Sequence, residues 1–172
     1  MKNSRNAAAR AAELGIMSAL AIAISYLEKL IPAFPGMPPG AKPGFSNIVT
    51  MFAAESLSVA DAFMITVFKA IFAGVTRGTT AFFMSLFGGL LSTAAACLML
   101  RAKKFKIGYI GIGIICAVCH NSGQLIVACI LSGTVSLVWG YGPLLLVFAI
   151  ASGLLTGSIL KLVSPALKRI KK

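Results

Sequence analysis

The stretch PAFPGMPPGAKPGFSN, residues 32–47, separates two strongly apolar parts of the chain. It holds five of the seven prolines, three glycines and a single cation, Lys42. Because proline lacks an amide hydrogen and has a fixed φ, this stretch predicts neither a helix nor the interior of a sheet. Apolar helical stretches flank it on both sides. We therefore expect a stiff loop over a helical protein, which either holds or gates a ligand or only connects the helices.

The composition is that of a membrane protein. Of the 172 residues, 58% are hydrophobic and only 12% are charged, and the mean hydropathy is +0.93. Soluble proteins usually have about 25% charged residues. Several apolar runs reach the roughly 20 residues that a helix needs to cross a bilayer. The sequence predicts an all-α, polytopic bundle that forms one integral-membrane domain over residues 1–172, without a soluble domain.

The positions of the basic residues predict the topology. The net charge is +12, and most of the 16 basic residues fall in three clusters, within 1–10, 101–106 and 161–172. Such clusters are typical of cytoplasmic ends of membrane helices, where anionic lipid also attracts them. We expect a multi-pass protein of the cell membrane with a basic cytoplasmic N-terminus (1–10) and a basic cytoplasmic tail (164–172). The clustering argues against nucleic acid as a partner.

The apolar runs and breaks predict six helices. Ser46 or Asn47 is a plausible N-cap of the second helix, and Ser58 or Asp61 of the third. The expected helices lie at about 8–31, 47–58, 59–75, 79–100, 107–131 and 143–163. A loop over 132–142 would then place Trp139 and Tyr141 at a membrane interface, as in an aromatic belt. The expected turn between the third and fourth helices contains Arg77.

A stripe of small residues runs along the first helix. At strict four-residue spacing it carries Ala11, Gly15, Ala19 and Ala23. In lipid, such a stripe lets another helix approach closely. It serves either internal packing or the docking of a second subunit, and its place beside a basic cytoplasmic end favours docking. Glu28 and Lys29, at the far end of this helix, are interpreted as anchors near the head groups.

A few polar residues lie at membrane depth, and Lys69 is the only cation among them. A charge in that position costs roughly 2.5–3.5 kcal/mol on insertion scales and usually faces a cavity or a partner. Lys69 therefore predicts a functional site; pairing with an acid such as Glu55, or snorkelling to the interface, are the alternatives. His120 and Gln124 are four residues apart on one helix face, with Asn121 beside them.

These polar residues predict a cavity near the third and fifth helices. With Lys42 and Arg77 on its outer side, the cavity would be cationic and would suit a small anionic or acceptor-rich molecule. The alternative is a cluster of hydrogen bonds between helices. The candidate substrate-binding residues are Lys42, Asn47, Lys69, Arg77, His120, Asn121 and Gln124.

Enzyme chemistry has little support in the sequence. The chain has four acidic residues, without the paired carboxylates that hold magnesium and diphosphate, and it lacks GxxxxGK[ST], HExxH and GxSxG motifs. Cys116 and Cys119 have CxxC spacing, but no second pair completes a zinc site, and buried apolar cysteines are the preferred interpretation. We expect no catalytic residue, no metal and no cofactor, so energy for any pumping comes from another subunit.

Three segments carry a resemblance to a known family. They are PGAKPGFSNIVTMFA at 39–53, KAIFAG at 69–74 and AVCHNSGQLIVA at 117–128. In them the chain resembles the Gx transporter family, whose members are often labelled heptaprenyl diphosphate synthase component I. That family is similar to the substrate-binding S components of energy-coupling factor (ECF) transporters. At the position of Lys69 its members commonly have arginine, which can bind an anion with two parallel hydrogen bonds where lysine cannot.

The resemblance implies a fold, a function and partners. It implies the six-helix S-component fold, with residues 32–47 as an outer gating loop and the small-residue stripe as the docking face. The partners would be a transmembrane coupling subunit and two ATPase subunits, which drive import of a small metabolite, by analogy an isoprenoid or quinone precursor. The alternative is a noncatalytic accessory subunit of a heptaprenyl diphosphate synthase.

Overall fold

The computed structural model describes residues 2–30, 42–101 and 107–170. Within these ranges the chain forms six helices and no strand, which confirms the all-α class. The helices are α1 (Lys2–Leu30), α2 (Asn47–Ser56), α3 (Val59–Arg77), α4 (Thr79–Arg101), α5 (Tyr109–Ser132) and α6 (Ser136–Ile170). Residues 31–41 of the predicted gating loop, most of the basic connector and the last two residues lie outside the described ranges.

Five of the six helices are long and apolar enough to cross a membrane. The candidate spans are Ala7–Glu28, Val59–Arg77, Thr79–Arg101, Tyr109–Ser132 and Ser136–Pro165. These spans confirm a multi-pass membrane protein. The exception is α2, whose 10 residues correspond to a length of about 15 Å, roughly half the thickness of the hydrocarbon core.

The short helix α2 lies at the centre of the bundle. It packs against each of the other five helices, and seven of its 10 residues are buried. The amides of residues 47–49 each donate to the carbonyl three positions earlier, in residues 44–46. Ser46 is the N-cap residue of α2, one of the two predicted positions, but its side chain caps no helix amide, because this turn already satisfies those amides. The non-helical segment 42–46 is tolerated at this depth because protein surrounds it.

The predicted cap of α3 is confirmed. The Ser58 hydroxyl accepts from the Asp61 amide, and the Asp61 carboxylate accepts from the Ser58 amide, which completes a capping box. Arg10 of α1 adds an ion pair, with Nη2 at 2.8 Å from Asp61 Oδ1. The beginning of α1 is thereby held against the junction of α2 and α3.

Several helix ends meet at this same junction. Glu55, near the end of α2, accepts from the Tyr109 hydroxyl at the beginning of α5 and from the Ser164 hydroxyl near the end of α6. Arg101 at the end of α4 donates from Nε to the Ala54 carbonyl at 3.0 Å. Successive helices therefore run in alternating directions. The short α2 and segment 42–46 together take the place of one full membrane-spanning helix. The cytoplasmic orientation of this end stays a prediction.

The structure corrects the connection between α5 and α6. The predicted loop over 132–142 was wrong, since α6 begins at Ser136 and contains Trp139, Tyr141 and Pro143. A proline inside a helix removes one amide donor and its ring clashes with the carbonyl four residues earlier, but membrane helices tolerate it when neighbouring groups compensate. Trp139 is 85% exposed, so it still lies on the surface of the bundle. Arg77 is in the last turn of α3 rather than in a connecting turn.

Candidate functional site

A small polar cavity lies at the end of the bundle opposite the α2–α3 junction. Its walls come from α1, segment 42–46, α3, α4 and α5, and its lining residues are Ser25, Glu28, Lys42, Ser46, Lys69, Arg77, Met84, Ser85, His120 and Gln124. Five of the seven predicted substrate-binding residues are among them. Among the described residues, α4 also contributes to the lining through Met84 and Ser85, and none of the lining residues comes from α6.

Lys69 is the deepest charge in the site. It lies midway along α3, its side chain is 2% exposed, and Nζ donates to Asn47 Oδ1 at 2.5 Å. Asn47 is therefore a support for Lys69 and does not itself line the cavity. The suggested pairing with Glu55 was wrong, because the Glu55 carboxylate lies at the other end of the bundle. Two of the three N–H donors of the ammonium have no hydrogen-bond partner among the described residues.

Glu28 belongs to the site, contrary to its interpretation as a head-group anchor. It is 4% exposed, and Oε1 accepts the Ser46 amide at 2.8 Å. Oε2 has no hydrogen-bond partner among the described residues. A buried carboxylate needs compensating charge, and Lys69, Lys42 and Arg77 line the same cavity.

A pattern in α1 could have revealed Glu28. Its buried positions, Ser18, Ala21, Ser25 and Glu28, recur at intervals of three or four residues. All of them except Ala21 are polar. Polar residues spaced in this way in an apolar helix indicate a face directed at protein rather than lipid. This face is distinct from the stripe of small residues, which is the more conspicuous pattern in the sequence.

Gln124 holds segment 42–46 in place. Its Oε1 accepts the Lys42 amide at 2.9 Å, and its Nε2 donates to the Lys42 carbonyl at 3.1 Å. The Lys42 ammonium in turn donates to the Ser25 carbonyl. Both polar groups of the Gln124 amide are thus engaged with the backbone of the loop, so its role in this state is to position the loop.

His120 packs against the same segment. Gly44 has φ +82°, and a Cβ there would lie 2.7 Å from His120 Cδ2. Glycine is required at residue 44 both by this left-handed conformation and by the close contact. His120 is 4% exposed, so the imidazole forms part of the wall on which the loop rests.

Asn121 lies outside this site. Its Nδ2 donates to the Leu145 carbonyl of α6 at 2.9 Å, and it lines a separate cavity between α5 and α6. Asn121 was expected at the same site as His120 because the two are adjacent in the sequence. On a helix, however, neighbours point about 100° apart, so they face different partners.

The cavity is cationic and small. Three cations, Lys42, Lys69 and Arg77, surround one carboxylate, that of Glu28. Its volume of about 20 Å³ has room for roughly one water molecule. A larger ligand can enter only if the walls move, and segment 42–46 is the wall without regular secondary structure.

The stripe of small residues is uncovered. Ala11, Gly15, Ala19 and Ala23 are all exposed, and α1 contacts only α2 and α3 among the helices. Only 11% of the most apolar part of α1 is buried, against 39–44% for the other spans. The stripe therefore does not serve packing within the described part of the chain.

The hold of Gln124 on the loop can be tested by substitution. Gln124→Leu removes both hydrogen bonds to Lys42, each worth about 0.5–1.5 kcal/mol. We expect the Lys42 amide to exchange its hydrogen about 10–100-fold faster, as measured by hydrogen exchange with mass spectrometry. Ser122→Ala, an exposed position of α5, is the control and should leave exchange unchanged. Equal protection in Gln124→Leu would show that other contacts hold the segment.

Fold and site together define a class: a polytopic all-α membrane protein with a small, cation-lined polar cavity at one end of the bundle. Residues 17–163 match the family model of heptaprenyl diphosphate synthase component I, and the chain belongs to that family. No curated protein and no solved structure matches the chain.

Proposed function

We propose that this chain is the substrate-binding S component of an ECF-type importer, which captures a small anionic metabolite outside the cell. The observation that carries the proposal is the buried Lys69 in a small cavity with Lys42, Arg77 and one carboxylate. A site with more cations than carboxylates, shielded from water, is complementary to an anion. Partner ATPases supply the energy, through a coupling subunit.

The unused hydrogen-bonding groups narrow the substrate class. The Lys69 ammonium has N–H donors, and Glu28 Oε2 is an acceptor, that have no hydrogen-bond partner among the described residues. A hydroxyl can accept from an ammonium and donate to a carboxylate at the same time. The site thus favours an anion that also carries a hydroxyl group over a purely apolar or cationic molecule.

Segment 42–46 is the gate in this proposal. It is irregular, it lies over the cavity, and side chains of α1 and α5 hold it through hydrogen bonds to its backbone. When these bonds break, the cavity opens toward the side of the membrane that has few basic residues. The junction end, which carries Arg10 and Arg101, faces the cytoplasm, in keeping with the excess of basic residues expected there.

The uncovered stripe on α1 is the proposed docking face for the coupling subunit. Small residues allow a partner helix to approach closely, and α1 is the helix least covered by its neighbours. Both termini are cytoplasmic in this arrangement. No catalytic role is assigned to any residue of the chain.

Ala19→Trp tests the docking face. A bulky side chain at an exposed position of the stripe should lower uptake in cells at least about tenfold, because it blocks close helix contact. Binding of the ligand to the isolated subunit should stay unchanged. Val147→Trp, at a 62% exposed position of α6, controls for a bulky residue in lipid. Loss of ligand binding in Ala19→Trp would show that the stripe supports the site itself.

The second candidate function comes from the family's name. A noncatalytic accessory subunit of a heptaprenyl diphosphate synthase would also be a membrane protein without catalytic residues. Gentle purification followed by mass spectrometry separates the two functions. A retained anionic metabolite together with coupling and ATPase subunits supports the importer. A soluble prenyltransferase with an empty cavity supports the accessory subunit.

A further inference from the structure

A second and larger cavity lies between α5 and α6. Its volume is about 200 Å³, and it is lined by Val118, Asn121, Ser122, Leu125, Gly142, Leu145, Leu146 and Ala149. None of these lining residues is charged. They lie on a different face of α5 from His120 and Gln124, so the cavity is distinct from the cationic site. A ligand of this cavity is therefore independent of the proposed importer function.

One lining group lacks a partner. Asn121 is 3% exposed, and its Nδ2 donates to the Leu145 carbonyl at 2.9 Å. This bond determines the orientation of the amide, because the rotated amide would place two acceptors against each other. Oδ1 then has no hydrogen-bond partner among the described residues. A buried acceptor without a donor is costly, most of all in a membrane.

The size and lining of the cavity indicate which kind of molecule would bind in it. An apolar cavity of about 150 Å³ in another protein binds benzene, so this one accepts a single ring with a small substituent. The absence of charge among the lining residues favours a neutral molecule. Asn121 lines the cavity, and a donor on that molecule satisfies Oδ1 once the surrounding side chains shift, because less than 1 Å² of this atom is accessible in the structure. Ser122 and Leu146 are exposed on membrane-spanning helices, which gives access from the bilayer.

We propose that the α5–α6 cavity binds a small neutral molecule with an apolar ring and one hydroxyl or N–H group. The molecule enters from the bilayer and donates a hydrogen bond to Asn121 Oδ1. The apolar side chains of Val118, Leu125 and Leu146 contact the ring.

A matched pair of probes tests this. 4-Fluorophenol and 4-fluorotoluene differ by a hydroxyl in place of a methyl group of similar size. Binding to the full chain in lipid nanodiscs is measured by fluorine NMR, and empty nanodiscs give the concentration of each probe in the bilayer. At equal bilayer concentration we expect saturable binding that favours the phenol by about fivefold, as one added hydrogen bond would produce.

Two variants test whether the probes bind in this cavity. In Asn121→Leu the preference for the phenol should disappear, while 4-fluorotoluene still binds. In Gly142→Leu neither probe should bind. A Cβ at residue 142 would lie 3.9 Å from the nearest side chains, so the new side chain has room to begin there and to fill the cavity.

Several results would overturn the proposal. Equal binding of both probes to the unmodified chain would identify a groove for lipid acyl chains. Binding of the phenol that survives in Gly142→Leu would place its site elsewhere, and this result decides the matter even if Asn121→Leu fails to fold. Loss of probe binding on addition of co-purifying subunits would identify the cavity as a groove for a partner helix.

Discussion

Gly113→Leu is expected to prevent α5 and α6 from packing together. A Cβ at residue 113 would clash with the Gly153 carbonyl oxygen and would lie 2.7 Å from the Gly157 Cα. These are backbone atoms, so the clash can be relieved only if the helices move apart. Overpacking of a core costs about 1–3 kcal/mol or more. At about 3 kcal/mol, the melting temperature of a protein of this length would fall by roughly 6–12 °C.

The measurement is thermal unfolding of the purified variant in detergent, together with its yield as a monodisperse peak. Gly140→Leu is the matched control in α6, because no atom lies within 4 Å of a Cβ at residue 140. Gly113→Ala should fall between the two. A melting temperature of Gly113→Leu equal to that of the control would show that α5 and α6 do not cross this closely.

Lys69→Met is expected to lower the affinity for the retained metabolite by about 100-fold or more. In the proposed complex, the substitution removes one partner of a buried charge pair, which typically costs about 3–5 kcal/mol. The ligand released from the unmodified protein is identified by mass spectrometry, and its binding to both forms is measured by calorimetry. Lys69→Arg keeps the charge and should retain part of the affinity.

A further variant separates the effect of Lys69→Met on ligand affinity from its effect on stability. Lys69→Met leaves Glu28 buried beside fewer cations, which could lower stability for a reason unrelated to the ligand. The double variant Glu28→Gln/Lys69→Met removes both charges and should recover stability without recovering affinity. Unchanged affinity in Lys69→Met with lowered stability would assign the polar cluster to hydrogen bonding between helices.

Local signals in the sequence predicted most of the fold. Long apolar runs require helices in a bilayer, because only internal hydrogen bonds satisfy the backbone there. The candidate caps Ser58 and Asp61 predicted where α3 begins, because their side-chain oxygens can accept from helix amides that have no partner within the helix. The beginning of α6 was predicted too late, since Pro143 and the aromatic residues before it suggested a loop. A proline is tolerated inside a membrane helix when neighbouring groups satisfy the backbone carbonyl that it leaves without a donor.

The sequence predicted part of the lining of the polar cavity. Lys69, His120 and Gln124 come together at one cavity, as the cost of burying polar groups requires. Asn121 faces the second cavity instead, and Glu28 enters the first. Both errors have one cause: a helix assigns a face to each residue, but the sequence does not say which neighbour that face will meet.

The sequence by itself determines the class of this protein, because its hydrophobicity allows only a bundle of membrane helices, with polar residues directed inward. It also determines which residues are costly to bury and therefore need partners. Only the tertiary structure decided that the short α2 occupies the centre, that Glu28 and Lys69 line the same cavity, and that the small-residue stripe is left uncovered. These features depend on contacts between residues distant in the chain, and local propensity and hydrophobic periodicity carry no information about them.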